Sequence, residues 1–175
     1  MVREFEVAVS GWRDVQVQAG KPLRGTLLRG PSGRLTFTLP KELVSVNKWY
    51  LRHWRVKYTH SQAWETMIRA AVCDYTGATD LPRVLLVMSM GHQTRTQTPK
   101  LVTITRMCPS LKRFIRDDDN LSASCKPLLD AIKRCGLIKD DARKWCELIV
   151  APQVVSPDGL FWTIVEIEPL GREHQ

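Results

Sequence analysis

The chain has 175 residues, with 26 Lys and Arg against 18 Asp and Glu, for a formal net charge of +8. That length suits one domain around one core. With 43% hydrophobic and 25% charged residues, the composition excludes a disordered or collagen-like chain, and no apolar run approaches the ~18–20 residues that span a bilayer.

The first residues, Met1-Val2-Arg3-Glu4-Phe5-Glu6, carry acids and no apolar stretch of the kind a secretion signal needs. Phe5 to Val9 and Val15 to Val17 alternate loosely and read as short strands. Leu23 to Leu28, the turn Gly30-Pro31-Ser32-Gly33 and Leu35 to Leu39 read as a hairpin ended by Pro40. The run Asn47 to Tyr58 interleaves Lys and Arg with Trp49, Tyr50 and Trp54 and reads as a loop. Its cations suit phosphates and its rings suit unpaired bases; half-buried core aromatics with outward cations are the plainer alternative. Ser61 is placed to cap a helix from Gln62 to about Tyr75, where Trp64, Met67, Ile68, Ala71 and Val72 recur at helical spacing. A break follows from Gly77 to Pro82.

Val84 to Met90 is a continuous apolar run, predicted as a buried strand, and Leu101 to Met107 alternates as a second one. Leu121, Cys125, Leu128, Ile132 and Cys135 form one apolar stripe and predict one helix. Asp119 or Asn120 stands at its N-cap position and Gly136 at its C′ position. On that reading Asp119 and Lys126 lie two turns apart on one face. Pro127, inside the stripe, removes a backbone donor and kinks the helix unless helical geometry begins nearby, about Ser124. Trp145 to Val150 and Leu160 to Ile167 are the last strands, with Pro157-Asp158-Gly159 turning between them. No repeat or linker interrupts the chain, so one mixed α+β domain is expected over 1–175. The five cysteines form no CxxC pair; reduced thiols packed as small apolar groups, in a cytoplasmic protein, are the expectation.

A basic chain that carries the run Arg116-Asp117-Asp118-Asp119-Asn120 and then Asp140-Asp141 invites a specific chemistry. Clustered carboxylates need a cation or protons to be tolerable at close range, and a positive body attracts polyanions. Asp117 and Asp119, one residue apart at a strand end, project to one side. Asp141 follows the helix, where the chain returns toward the sheet. Three hard oxygen ligands suit Mg²⁺ or Mn²⁺, which would hydrolyse a phosphodiester with Lys126 balancing charge or protonating the leaving oxygen. The same residues also make an ordinary helix cap, a solvated turn and an i,i+4 pair of Lys126 with Asp130.

Taken in order, Arg116-x-x-Asp119-Asn120-Leu121, Lys126-x-x-x-Asp130-Ala131-Ile132, Gly136 and Asp140-Asp141 resemble the RusA family of Holliday junction resolvases. That family carries an Asp-x-Asp-Asn-Leu run, a downstream Lys, an Asp four residues later, then Gly and Asp-Asp. Leu39-Pro40 through Asn47-Lys48-Trp49-Tyr50 is similar to the family's N-terminal Pro-x-Ser-x-Asn region. The likeness covers roughly residues 35–169; residues 1–34 and the strand at 84–90 fall outside the compact pattern. It implies an α+β fold with a mixed, largely antiparallel sheet and two main helices. It also implies a homodimer that makes paired nicks in four-way DNA with Mg²⁺, Mn²⁺ substituting. Asp117, Asp119 and Asp141 would be the metal carboxylates and Lys126 the catalytic lysine. Asn47, Lys48, Arg52, Arg55, Lys57, Arg113 and Arg116 are the expected DNA contacts. The interval from Asp119 to Lys126 is three residues longer than in the family's short type member. Three residues are nearly one turn, so on a continuous helix Lys126 keeps its face and moves about 4.5 Å along the axis. A non-catalytic junction-binding protein of the same fold, and a nuclease for other branched DNA, are the alternative expectations.

Overall fold

The structure is a computed structural model that describes residues 25–30, 33–49, 54–77 and 98–170. The strands expected at 5–9, 15–17 and 84–90 lie outside the described residues. Within them, six strands form one mixed sheet. β1 (Thr26–Arg29) and β2 (Leu35–Leu39) make the expected antiparallel hairpin, with Thr26 opposite Thr38 and Arg29 opposite Leu35. Gly33, at φ 81°, supplies the left-handed residue that the turn requires. Two helices follow: α1 (Val46–Trp49) and the long α2 (Trp54–Thr76). Next come β3 (Lys100–Cys108), a 3₁₀ turn at Leu111–Arg113, α3 (Asp118–Ser124) and α4 (Lys126–Arg134). β4 (Cys146–Val150), β5 (Val154–Val155) and β6 (Trp162–Pro169) complete the order.

The strand order is β1-β2-β6-β3-β4, with β5 also on β3. β6 lies antiparallel between β2 and β3, whereas β4 and β5 run parallel to β3. A parallel neighbour needs a crossover, and α3 and α4 supply it between β3 and β4. The last two expected strands are therefore not a hairpin. The turn at 157–159 instead carries the chain from one side of β3 to the other, with Gly159 at φ 71°.

Alternation divides the sheet into two faces. Phe37, Leu39, Val102, Ile104, Val165 and Ile167 are buried in the core. Thr103 and Glu166 lie between them in sequence and Glu168 follows Ile167; Arg34 pairs with both glutamates at 3.0 and 3.1 Å. Trp64, Ile68, Ala71 and Val72 of α2 and Leu128, Leu129, Ala131 and Ile132 of α4 belong to the same core. A sheet with helices and one shared core is the expected α+β architecture.

Two helix boundaries differ from expectation. α2 begins at Trp54, so much of the aromatic-basic run is helix rather than loop, and Ser61 lies inside α2. Ser61 is buried and continues the stripe of Trp64 and Ile68. Its hydroxyl donates to the Pro127 carbonyl at 3.2 Å and accepts from Arg134, whose Nε also meets Glu65 at 2.8 Å. Packing against α4 uses this serine where local sequence suggested a cap. The second difference is that the single helix expected over 121–135 is two. Cys125 separates them, and Pro127 stands in the first turn of α4, where its missing N–H costs nothing. Gly136 ends α4 as expected, at φ 73°. Its N–H donates to Lys133 O at 2.9 Å and that of Leu137 to Ile132 O at 3.1 Å, a Schellman closure.

Candidate functional site

The acidic run enters through a buried arginine. Arg106, on β3, is 2% exposed, yet each of its three guanidinium nitrogens has a partner. It donates to Leu43 O at 3.0 Å, Arg113 O at 2.8 Å, Gln153 Oε1 at 2.8 Å and Cys108 Sγ at 2.6 Å, and pairs with Glu42 at 2.7 Å. Gln153 in turn holds the backbone of Ile115 from both sides. Its Oε1 accepts from Ile115 N at 3.0 Å and its Nε2 donates to Ile115 O at 2.7 Å. The segment just before Asp117 is thus clamped to the sheet. Sequence reading missed Arg106 and Gln153. The one available signal was an arginine at a core-facing position of an alternating strand.

Asp117, in extended conformation at φ −99° and ψ 119°, is the N-cap of α3. Its Oδ1 accepts from the backbone N–H of Asp119 at 3.0 Å and of Asn120 at 3.5 Å, and its Oδ2 accepts from the Asn120 amide at 3.1 Å. This corrects the expected cap at Asp119 or Asn120. It also corrects the expected strand end, since Asp118 and Asp119 occupy the first helical turn, where acids meet the positive end of the helix dipole. α1, which carries Asn47 and Lys48, lies against α3.

The break at Cys125 changes the setting of Lys126. It stands at the first position of α4, so it does not share one continuous helix face with Asp119. Its ammonium meets Asp130 at 3.0 Å and makes a close contact with Asp141 Oδ2. Lys133, which sequence reading did not single out, bonds Asp140 at 2.9 Å and reaches Asp141 Oδ1 at 3.5 Å. Asp140 also caps the following turn, accepting from Ala142 N at 3.0 Å. Two lysines and three aspartates therefore form one charged network at the two ends of α4.

Protonation follows from these contacts. The Lys133 ammonium and the Ala142 N–H hold the Asp140 carboxyl at about 2. Asp141 is lowered by its bond from Lys126, against a smaller opposing effect of burial. For Lys126, burial works to lower the value, but the hydrogen bonds to Asp141 and Asp130 together prevail and raise it. Lys126 is thus an ammonium at neutral pH, able to give a proton or hold a phosphate oxygen and unable to act as a base.

A divalent cation is the cofactor that the resemblance implies. The donors present are hard carboxylate oxygens, which suit Mg²⁺. Their arrangement does not. Asp117 spends both oxygens on α3, Asp141 has both on lysines, and among the described residues no three His, Cys, Asp or Glu side chains gather to hold an ion. Asp117, Asp119 and Asp141 are therefore not gathered as a common ligand set. Each motif residue expected to bind metal is instead satisfied by backbone, amide or ammonium groups, or lies exposed, as Asp119 does.

Of the expected DNA contacts, Asn47, Arg113 and Arg116 are exposed. Arg52 and the side chains of Lys48, Arg55 and Lys57 lie outside the described residues. The cysteines are free, and four of them are buried. Burial pushes Cys125 up to about 12 and Cys135 to about 11, as packed thiols require. No described helix is long and apolar enough to cross a membrane. No family model matches the chain, and no curated protein matches it.

Proposed function

We propose that this chain is a structure-specific endodeoxyribonuclease that hydrolyses phosphodiesters in branched DNA, with the four-way junction as its substrate. The observation that carries the reading is the contact of Lys126 with Asp141. These two motif residues, far apart along the chain, are side by side despite the longer interval before Lys126. The ordered motif and the net charge of +8 support it further. In this reading Lys126 gives up its aspartate for the scissile phosphate. A partly exposed ion pair is worth about 0–1 kcal/mol after solvent screening, so the exchange costs little. As water attacks the phosphorus and the bond to the leaving oxygen breaks, the ammonium balances the charge that develops on phosphate and protonates the departing oxygen, then regains a proton from solvent. Asn47, Arg113 and Arg116, with Lys48, Arg52, Arg55 and Lys57, would hold the strands. A two-fold dimer would present two such sites to two equivalent strands.

The test is nicking of a synthetic four-way junction, with flap and fork substrates alongside, in Mg²⁺ or Mn²⁺. Wild type is expected to nick the junction, and Asp119→Asn to fail. Lys126→Ala is expected to bind the junction normally and to cleave it about 10²–10⁴-fold more slowly, the usual contribution of a positioned proton donor. Equal cleavage by wild type and Asp119→Asn sinks the assignment. A second reading, a DNA-binding protein of the same shape without cleavage, is favoured by one observation: the carboxylates are paired with lysines rather than gathered for an ion. It predicts salt-sensitive junction binding and no nicking in any metal.

A further inference from the structure

We infer that the turn joining α4 to β4, residues 139–145, is a sugar-phosphate-binding surface built from Lys139, Arg143 and Lys144. It extends the DNA contact beyond the residues named above, and it rests on DNA being the partner. Three observations meet there. First, the three cations are exposed, and among the described residues none has a carboxylate partner. The acids of the same turn are already engaged: Asp140 with Lys133 at 2.9 Å, Asp141 with Lys126 and Lys133. The turn therefore presents three cations without carboxylate partners beside an acidic network that Lys126 and Lys133 largely offset.

Second, two of the cations are held in place. Lys139 Nζ sits 3.6 Å from the centroid of the half-buried Trp145 ring, and Lys144 Nζ sits 5.8 Å from it. A cation over an indole is electrostatically attracted to the ring, so these long side chains lose less freedom when they take a phosphate. Third, the backbone under them is pinned. Trp145 N donates to Ala142 O at 2.8 Å, Cys146 N to the same oxygen at 3.0 Å, and Lys100 N to Trp145 O at 3.0 Å. Two held cations and Arg143 on a pinned turn next to Asp141 suit the phosphates of a nucleic-acid backbone. The contact would carry no sequence information.

The experiment measures binding of the full-length chain to a fluorescently labelled four-way junction over a salt series, without a metal that permits cleavage. The triple variant Lys139→Ala, Arg143→Ala, Lys144→Ala is expected to bind more weakly and to flatten the slope of log K against log salt by up to ~2.7, about 0.9 for each duplex phosphate that is no longer neutralised. Trp145→Leu keeps the charges and loosens the lysines; it is expected to weaken binding with the slope retained. An unchanged slope in a triple variant that melts like wild type overturns the inference. Competition by poly-glutamate as effective as that by duplex DNA of equal charge also overturns it, pointing to an acidic protein partner. The nuclease reading is separable. If wild type nicks nothing while the triple variant loses slope, this surface stands and that reading falls; if wild type nicks and the slope is unchanged, the reverse holds.

Discussion

Asp117 and Asp119 stand two residues apart in the same motif and do different work. Asp117 spends its carboxylate on two backbone N–H groups and an amide, so Asp117→Ala is expected to cost about 1 kcal/mol of stability, the usual loss of a helix cap. Asp119 makes no such contact through its side chain and is exposed. Asp119→Asn should therefore leave the urea midpoint unchanged, and on the proposed nuclease reading it should also lose nicking. A midpoint that drops as much for Asp119 as for Asp117 would show the cap to be wrongly assigned. Asp140 offers a pH test. Its folded-state value of about 2 lies below the ordinary carboxylate value near 4. A depressed value means that its contribution to stability is complete above pH ~4 and is lost as pH falls through about 2. A carboxyl NMR titration should find it there, and Lys133→Ala should move it upward. No movement would mean that Lys133 does not hold it.

Among the elements, the hairpin, β3 and the end of α4 were legible in the sequence because their signals are local. Alternation over Leu101 to Met107 and a glycine at 136 act within a few residues. The start of α2 and the break at Cys125 were not legible in this way. Ser61 has the chemistry of a cap, and only the approach of α4 turns its hydroxyl toward Pro127 O and Arg134. The stripe from Leu121 to Cys135 is continuous across the break, since both α3 and α4 bury their apolar residues; Pro127 pointed to a kink or to a helix start near Ser124, and the structure starts α4 at Lys126. The clamp before Asp117 depends on contacts between distant segments, with Arg106 reaching Glu42, Arg113 and Gln153. Arg106→Met is expected to destabilise the protein by about 3–5 kcal/mol, because it strands buried acceptors and a partly buried carboxylate. In urea the midpoint should fall with the slope preserved. A loss under about 1 kcal/mol would show that these groups find other partners.

Over the whole molecule, the support and the charged network meet on one helix, α4, which buries one side in the core and carries Lys126, Asp130 and Lys133 on the other. One face and the two long helices make the core, whereas the charged network forms where α4 begins and ends. If DNA is the partner, as proposed, the binding of this chain with its net charge of +8 should weaken steeply with salt. Replacing Arg113 and Arg116 with Ala should reduce the salt slope by about 0.9 for each that meets a phosphate on a duplex arm. A slope equal to wild type would remove that segment from the DNA-binding surface.

Composition, period and motif order determined much of this protein before any coordinates: the α+β class, the hairpin, the strand that feeds the acidic run, the buried thiols and the residues worth testing. These follow from neighbours in the chain, where side-chain period and turn chemistry act over a few residues. Only the tertiary structure decided which groups those residues meet. It joined Lys126 to Asp141, gave Asp117 to the cap of α3, placed Lys133 between Asp140 and Asp141, and buried Arg106 among three loops. Coulomb and hydrogen-bond partners are chosen by distance in space, and the crossover from β3 through α4 to β4 sets those distances.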